Sequence, residues 1–378
     1  MKLAIWFLLL STFLGCKNQL TTLQESHLSF YVGSYTRTEG HVDGKAKGIG
    51  YIEINPHKGN ILFEKNIASI VNPSFLTTTK NKEYLYSVSQ LARPHEETGY
   101  VYAYKMIAKD SLEKIGQYPS NAPGPCHILL DHSEKMLFVS NYQGGIVTVF
   151  NRKNDGTLVE NKTLEFKGNS ILPRQKSPHL HSAQISPDNS RLLIADLGSD
   201  KIWIYQLDVP NQSLIPLKKQ PFLKLMPGAG PRHLAFKSDN ELFVINELNN
   251  TLCGIVREND RYKVVSTAST LPSGFKDKNT SADVRVHPGG QFVYGSNRGH
   301  NSIVAFSIGP DASLTLISHY PSLGETPRNI NISQDGKWLI AANQDSHNLA
   351  VYSINNLSGE LTLSAEIEKI YTPVCIEF

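Results

Sequence analysis

Several features that would put chemistry on a metal, a nucleotide or a nucleic acid are missing from this sequence. Cysteine is scarce: Cys16, Cys126, Cys253 and Cys375 are the whole supply, and none stands in CxxC spacing. Neither a zinc site nor a disulfide framework is therefore expected, and the last three read as small buried hydrophobes. Lys and Arg total 37 against 34 Asp and Glu, a net charge of +3, and no basic block stands out. Nucleic acid is thus not an expected partner, although a local basic pocket for a small anion is. There is no G-x-S-x-G nucleophile elbow and no P-loop. No long stretch keeps a 3.6-residue period, and 27 glycines and 20 prolines are spread along the chain, which argues against a helical domain. The apolar run Leu3 to Leu10 is too short for a comfortable membrane span.

That run has a different use. Lys2, the apolar stretch and Ser11-Thr12-Phe13-Leu14-Gly15-Cys16 have the order of a secretory signal. Leu14-Gly15-Cys16 is similar to a bacterial lipobox, with Phe13 bulkier than the aliphatic residue usual there. Residues 1–16 are expected to be a signal peptide with Cys16 as the lipidation site, and residues 17–28 a polar tether. The expectation is an exported cell-envelope lipoprotein, in the periplasm or membrane-anchored, that meets the membrane only through this anchor.

What the chain has is repetition. Short apolar runs end in Asn141, Asp196, Asn246, Asn297 and Asn343, at spacings of 55, 50, 51 and 46 residues, each followed by a turn and a second apolar run. Fainter copies at Tyr84 to Gln90 and Tyr31 to Ser34 bring the number to seven. A repeat of this length built from short strands predicts an all-β, seven-bladed β-propeller over residues 29–378. An opening strand precedes six of the runs, as in Gly124-Pro125-Cys126-His127 and Gly230-Pro231-Arg232-His233. The first run has none, but Tyr371 to Phe378 supplies an orphan copy at the other end. The C-terminal strand is therefore expected to complete the first blade and close the ring. The links Thr36 to Lys47, Leu91 to Thr98 and Gly168 to Ser177 are expected as loops over the ends of the propeller.

The repeat also works as a ruler. The position after Pro in each opening strand holds Ser74, Cys126, His181, Arg232, Ala282, Arg328 and Val374. The position after the Asn-type residue holds Leu91, Tyr142, Leu197, Glu247, Arg298 and Gln344. His181, Arg232, Glu247, Arg298, Arg328 and Gln344 are polar and fall in four consecutive blades. Guanidiniums suit a carboxylate or phosphate, and a Glu and a His can move protons or activate water. His181, Glu247, Arg232 and Arg298 are the candidate catalytic set, and Arg328, Gln344 and His179 are substrate-binding candidates. Glu247 paired with an arginine could equally be a structural ion pair. His179 and His181 share a strand face, but no third ligand stands out, so neither metal nor other cofactor is expected. His233 is expected to point into its blade, and His127 and His287 to serve turns or packing.

Tyr31-Val32-Gly33-Ser34-Tyr35-Thr36, His181-Ser182-Ala183-Gln184-Ile185-Ser186-Pro187-Asp188, Gly230-Pro231-Arg232-His233, Val244-Ile245-Asn246-Glu247-Leu248-Asn249, Ser296-Asn297-Arg298-Gly299 and Pro373-Val374-Cys375-Ile376 carry a resemblance. Taken together the chain resembles the seven-bladed lactonase family, which includes propeller-type 6-phosphogluconolactonase and 3-carboxy-cis,cis-muconate lactonizing enzyme. The resemblance implies a metal-independent site that matches His181, Arg232, Glu247 and Arg298. The expected activity is hydrolysis of an anionic sugar lactone by general acid/base chemistry at the channel mouth, on a small lactone or sugar acid. Lactonisation of an unsaturated diacid is the enzymatic alternative, and a non-catalytic exported binding propeller the other. The leader departs from the cytosolic setting of 6-phosphogluconolactonase, so an envelope aldonolactone is a further expectation.

Overall fold

The computed structural model describes residues 27–40 and 42–378. The expected signal peptide, Cys16 and most of the expected tether lie outside them. Seven antiparallel sheets follow one another along the chain. Blade 2 runs from Leu76–Thr78 to Ser111–Pro119, and blade 3 from Pro125–Leu130 to Leu158–Glu165. Blade 4 begins at Leu180–Ile185 and has a split outer edge, Ser213–Pro216 and Phe222–Lys224. Blades 5, 6 and 7 begin at Pro231–Ser238, Thr280–Val286 and Pro327–Ile332. These opening strands contact their counterparts in the next blade and so surround the central channel.

Blade 1 is made from both ends of the chain. Pro373–Glu377 pairs with Leu28–Ser34 in the register Val32↔Ile376 and Gly33↔Cys375. The same closure is hydrophobic as well as hydrogen-bonded. Phe30, Val32, Ile52, Ile54 and Ile376 of blade 1 form one buried cluster with Trp338, Ile340, Leu349 and Val351 of blade 7. A second such layer joins Leu193, Ile202 and Ile204 of blade 4 to Leu234, Val244 and Ile255 of blade 5. Each sheet buries both faces against its neighbours, which is why the second and third strands read as nearly continuous apolar runs.

The repeated Asn has a local physical cause. It ends the second strand and uses its side chain to hold a neighbouring segment. Asn297 Nδ2 donates to the Thr270 carbonyl at 2.7 Å, Asn343 Nδ2 to the Ser322 carbonyl at 2.8 Å, and Asn246 Nδ2 to Thr251 Oγ1 at 2.9 Å. Asp196 plays the part with acceptors, taking the His179 N–H at 2.8 Å and the Trp203 Nε1–H at 3.1 Å.

The position after Pro is distinguished by a break in the ladder. Pro231 pairs with Asn246 and His233 with Ile245, so Arg232 is skipped. His181, Cys126, Arg328 and Val374 are skipped in the same way. In blade 6 the irregularity spans Ser281 to Val284 and takes in Asp283 beside Ala282. A β-bulge leaves its extra residue unpaired and re-aims its side chain. Repeated in six of the seven blades, it places residues left out of the ladder near one level of the channel.

Candidate active site

Three of the irregular links converge over that level. Thr36 to Lys47 contains a small hairpin, Thr38–Glu39 with Val42–Asp43, where a plain loop was expected. Glu39 and Val42 from it, Arg93 from the second link and Arg174 from the third line a cavity of about 640 Å³. The remaining wall comes from the blades: Tyr35, Gln90, Cys126, Tyr142, His181, Glu247, Arg298 and Arg328 among others. Four arginines against two carboxylates give this wall an excess of positive charge.

Glu247 is at the centre of the charge. Its Oε1 lies 2.6 Å from Arg174 Nη1, and its Oε2 lies 3.0 Å from both Arg232 Nε and Arg298 Nη2. Burial raises the pKa of this carboxyl, but Arg298, Arg174 and Arg232 more than reverse the effect and hold it at about 2. Arg232 is 1 % exposed. Its Nη1 donates to the Ala282 carbonyl at 2.6 Å, while its Nε faces Glu247 without the alignment of a hydrogen bond. Burial, together with Arg298 and Arg328, lowers the Arg232 pKa to about 9. His181 is buried, and that burial, reinforced by Arg232 and His233, keeps its imidazole neutral, with a pKa well below the usual range.

The structure thus brings His181, Glu247, Arg298 and Arg328 to one cavity, with Arg232 directly behind Glu247. Gln344 and His179 are not in its wall. Gln344 is buried and donates to Asp345 Oδ1 at 2.8 Å. His179 stacks on the Tyr142 ring and sits 2.9 Å from the Tyr142 carbonyl, so it supports a wall residue from outside. His233 also differs from expectation. It does not pack inside its own blade but meets the rings of His181, His127 and Phe75 across the channel, and it pairs with Asp283 at 2.6 Å. The bulge explains this: skipping Arg232 turns the next side chain toward the axis. His287 serves a turn, accepting the Gly289 N–H. Among the described residues, no group of three or more His, Cys, Asp or Glu is placed to hold a metal ion.

Arg174, Arg93, Glu39, Tyr35 and Tyr142 were not selected as site residues by the ruler. Tyr142 stood at a ruler position but looked bland beside the charged residues. The others lie in or next to irregular links, where repeat counting has no register. The signal available was that the links are polar and cross the propeller end.

The fold is a seven-bladed ring with one arginine-rich cavity at a channel mouth, built for a small molecule. Residues 29–378 match the family described as "Lactonase, 7-bladed beta-propeller". The chain is 33 % identical over 340 residues to a 6-phosphogluconolactonase of Formosa agariphila, covering 88 % of this chain and 94 % of that one. It is 30 % identical over 355 residues to the 6-phosphogluconolactonase of Bacillus subtilis, covering 92 % and 97 %. A periplasmic gluconolactonase of Pseudomonas aeruginosa superposes with a TM-score of 0.84 at 28 % identity, over 93 % of this chain and 99 % of the other. The chain belongs to the seven-bladed β-propeller lactonase family. It is a lactone-hydrolysing enzyme, and its substrate is a small lactone.

Proposed function

We propose that the chain hydrolyses a sugar lactone carrying a phosphate or carboxylate, by acid–base chemistry that needs no metal. The observation that carries the anionic preference is Arg328. It lines the cavity over the Tyr35 ring, 5.6 Å from the centroid, and has no carboxylate partner among the described residues. A half-buried guanidinium without a counterion is an anchor for an anion.

The chemistry follows from the protonation states. Glu247 is ionised and can take a proton from water as that water bonds to the lactone carbonyl carbon. Arg298 offsets the charge that develops on the carbonyl oxygen. The ring C–O bond then breaks, and the protonated Glu247 returns its proton to the departing ring oxygen. The product hydroxy acid loses its own carboxyl proton to solvent. His181, being neutral, can orient the water as donor or acceptor. Arg232 holds Glu247 in place from behind.

Relatives named 6-phosphogluconolactonase support a phosphorylated aldonolactone, and the periplasmic gluconolactonase supports an exported site with an unphosphorylated one. A pH-stat panel of phosphorylated and unphosphorylated aldonolactones decides between them with the purified protein. Saturable acid release is expected, with the anionic lactone preferred. No release above the spontaneous rate from any lactone would refute the proposal.

A further inference from the structure

Of the three guanidiniums around Glu247, two are fixed by the blades. Arg232 sits on the blade 5 bulge and is buried. Arg298 ends the second strand of blade 6, and its side chain is 13 % exposed. Arg174 is different: its side chain is 48 % exposed and comes from a link that belongs to no sheet. It is also the sole ion-pair partner of Glu247 Oε1 among the described residues. While it stays there, Oε1 of the proposed proton acceptor is capped.

The link beneath it is firmly held. Gln175 is fully buried and donates to the Leu197 carbonyl at 2.9 Å and to Asp200 Oδ1 at 2.7 Å. Ser170 Oγ donates to Asp200 Oδ2 at 2.5 Å, and the backbone closes on itself through Ser170 N–H to the Gln175 carbonyl at 2.9 Å. What can move is therefore the side chain alone. It rests against Tyr142, with Nε donating to the hydroxyl at 3.1 Å and the guanidinium 5.8 Å from the ring centroid. A guanidinium on a flexible stem, already in the cavity wall, needs only a change of rotamer to exchange one anion for another.

We infer that Arg174 is a substrate-binding residue that exchanges the Glu247 carboxylate for the anionic group of the incoming lactone, and by leaving uncaps Oε1 for the hydrolytic water. This rests on the lactonase reading above and adds to it a binding residue and an ordering of events. Before substrate arrives, Glu247 is faced by Arg174 from the link, Arg232 from blade 5 and Arg298 from blade 6, with Tyr142 and Cys126 of blade 3, His181 of blade 4 and Arg328 of blade 7 around the same cavity. Transfer of one guanidinium leaves two, so the carboxylate stays ionised but becomes a stronger base. An anion too small or too short to draw Arg174 across gains less from the site.

The test is steady-state hydrolysis of 6-phosphoglucono-δ-lactone and glucono-δ-lactone by the full chain, its R174A and R174K variants, across the acid range. For R174A, KM for the phosphorylated lactone is expected to rise about tenfold or more, the loss of one charge-assisted contact. R174K should recover part of that. The sharper readout is the acid limb. In the wild type, kcat/KM reports the free enzyme with Arg174 on Glu247, and kcat the complex with Arg174 withdrawn. The kcat limb should therefore lie at higher pH than the kcat/KM limb. In R174A the two should coincide, at the higher position. A structural role for Arg174 would lower stability without changing that separation, and thermal melts of the three proteins follow it. Wild-type KM in R174A, or an unchanged gap between the limbs, overturns the inference and leaves the lactonase reading standing. A wild type that hydrolyses neither lactone overturns both.

Discussion

Replacing Glu247 by Gln keeps the shape of the side chain and removes its charge, so the structure specifies two separable effects. The first is on stability. The carboxyl is held from 4.5 down to about 2, which corresponds to about 3 kcal/mol in favour of its ionised form in the fold. Because the folded-state pKa is depressed, that contribution is complete above the unfolded value and is lost as pH falls from about 4.5 toward 2. E247Q lacks it at every pH and leaves Arg232, 1 % exposed, without its counterion. Breaking a buried pair from one side costs about 3–5 kcal/mol, or a fall in Tm of about 5 °C for a domain of this size. The second effect is on chemistry. Loss of the proposed proton acceptor should lower kcat by about a thousandfold, with the far-UV circular dichroism of the native sheet retained. The double variant E247Q/R232M separates the two. With neither charge buried, it should recover much of the lost stability and none of the turnover. Calorimetry and lactone hydrolysis on all four members of the cycle make the measurement. A single E247Q variant with kcat within a few-fold of wild type on the preferred lactone would refute the proton-acceptor role. Unchanged Tm in that variant would refute the account of the arginine cluster.

Three further outcomes follow from other parts of the molecule. Removing residues 371–378 takes away the buried Val374, Cys375 and Ile376 together with the ladder to Leu28–Ser34. The loss is on the order of 10 kcal/mol, comparable to the whole stability of a domain, so the truncated chain should fail to melt cooperatively, and a parent-like melt would contradict closure of the ring. R328M should raise KM for a phosphorylated lactone by about tenfold and change KM for the neutral analogue little. Equal effects on both would show that Arg328 is no anion anchor. Asp283 accepts from Arg285 at 2.9 Å, from Asn329 Nδ2 at 2.6 Å and from two backbone N–H groups, and pairs with His233 at 2.6 Å. Burial raises its pKa, but Arg285 and His233 together bring it below the ordinary value. Wild-type stability should therefore fall as pH drops below about 4, and D283N should lose about 3–5 kcal/mol at neutral pH in urea titrations. An unchanged midpoint would remove Asp283 as the clasp between blades 5, 6 and 7.

The division between what could be read from the chain and what could not follows a physical line. Periodic positions were legible. Seven apolar runs, their terminal Asn residues and the orphan strand at Tyr371 to Phe378 specify a closed ring, because each repeat obeys the same local rules of strand, turn and side-chain bond. The same equivalence led from one blade to the next and selected Glu247, Arg298, Arg232 and His181. The bulge at the post-Pro position of six blades is the reason that this counting works, although nothing in the sequence announces a bulge as such.

Tertiary structure alone decided the rest. Arg174, Arg93 and Glu39 come from links of unequal length, so no period reaches them, and only the closing of the ring brings the three links over one mouth. Gln344 and His179 show the converse. Gln344 satisfies the spacing and His179 shares a strand face with His181, yet Gln344 is turned to its neighbour Asp345 and His179 lies behind Tyr142, because a shared register sets the backbone position but not the side-chain direction. Charge states were equally out of reach: a sequence shows a Glu and several Arg, while the low basicity of Glu247 depends on three guanidiniums held within about 3 Å of a carboxylate that is itself almost wholly buried.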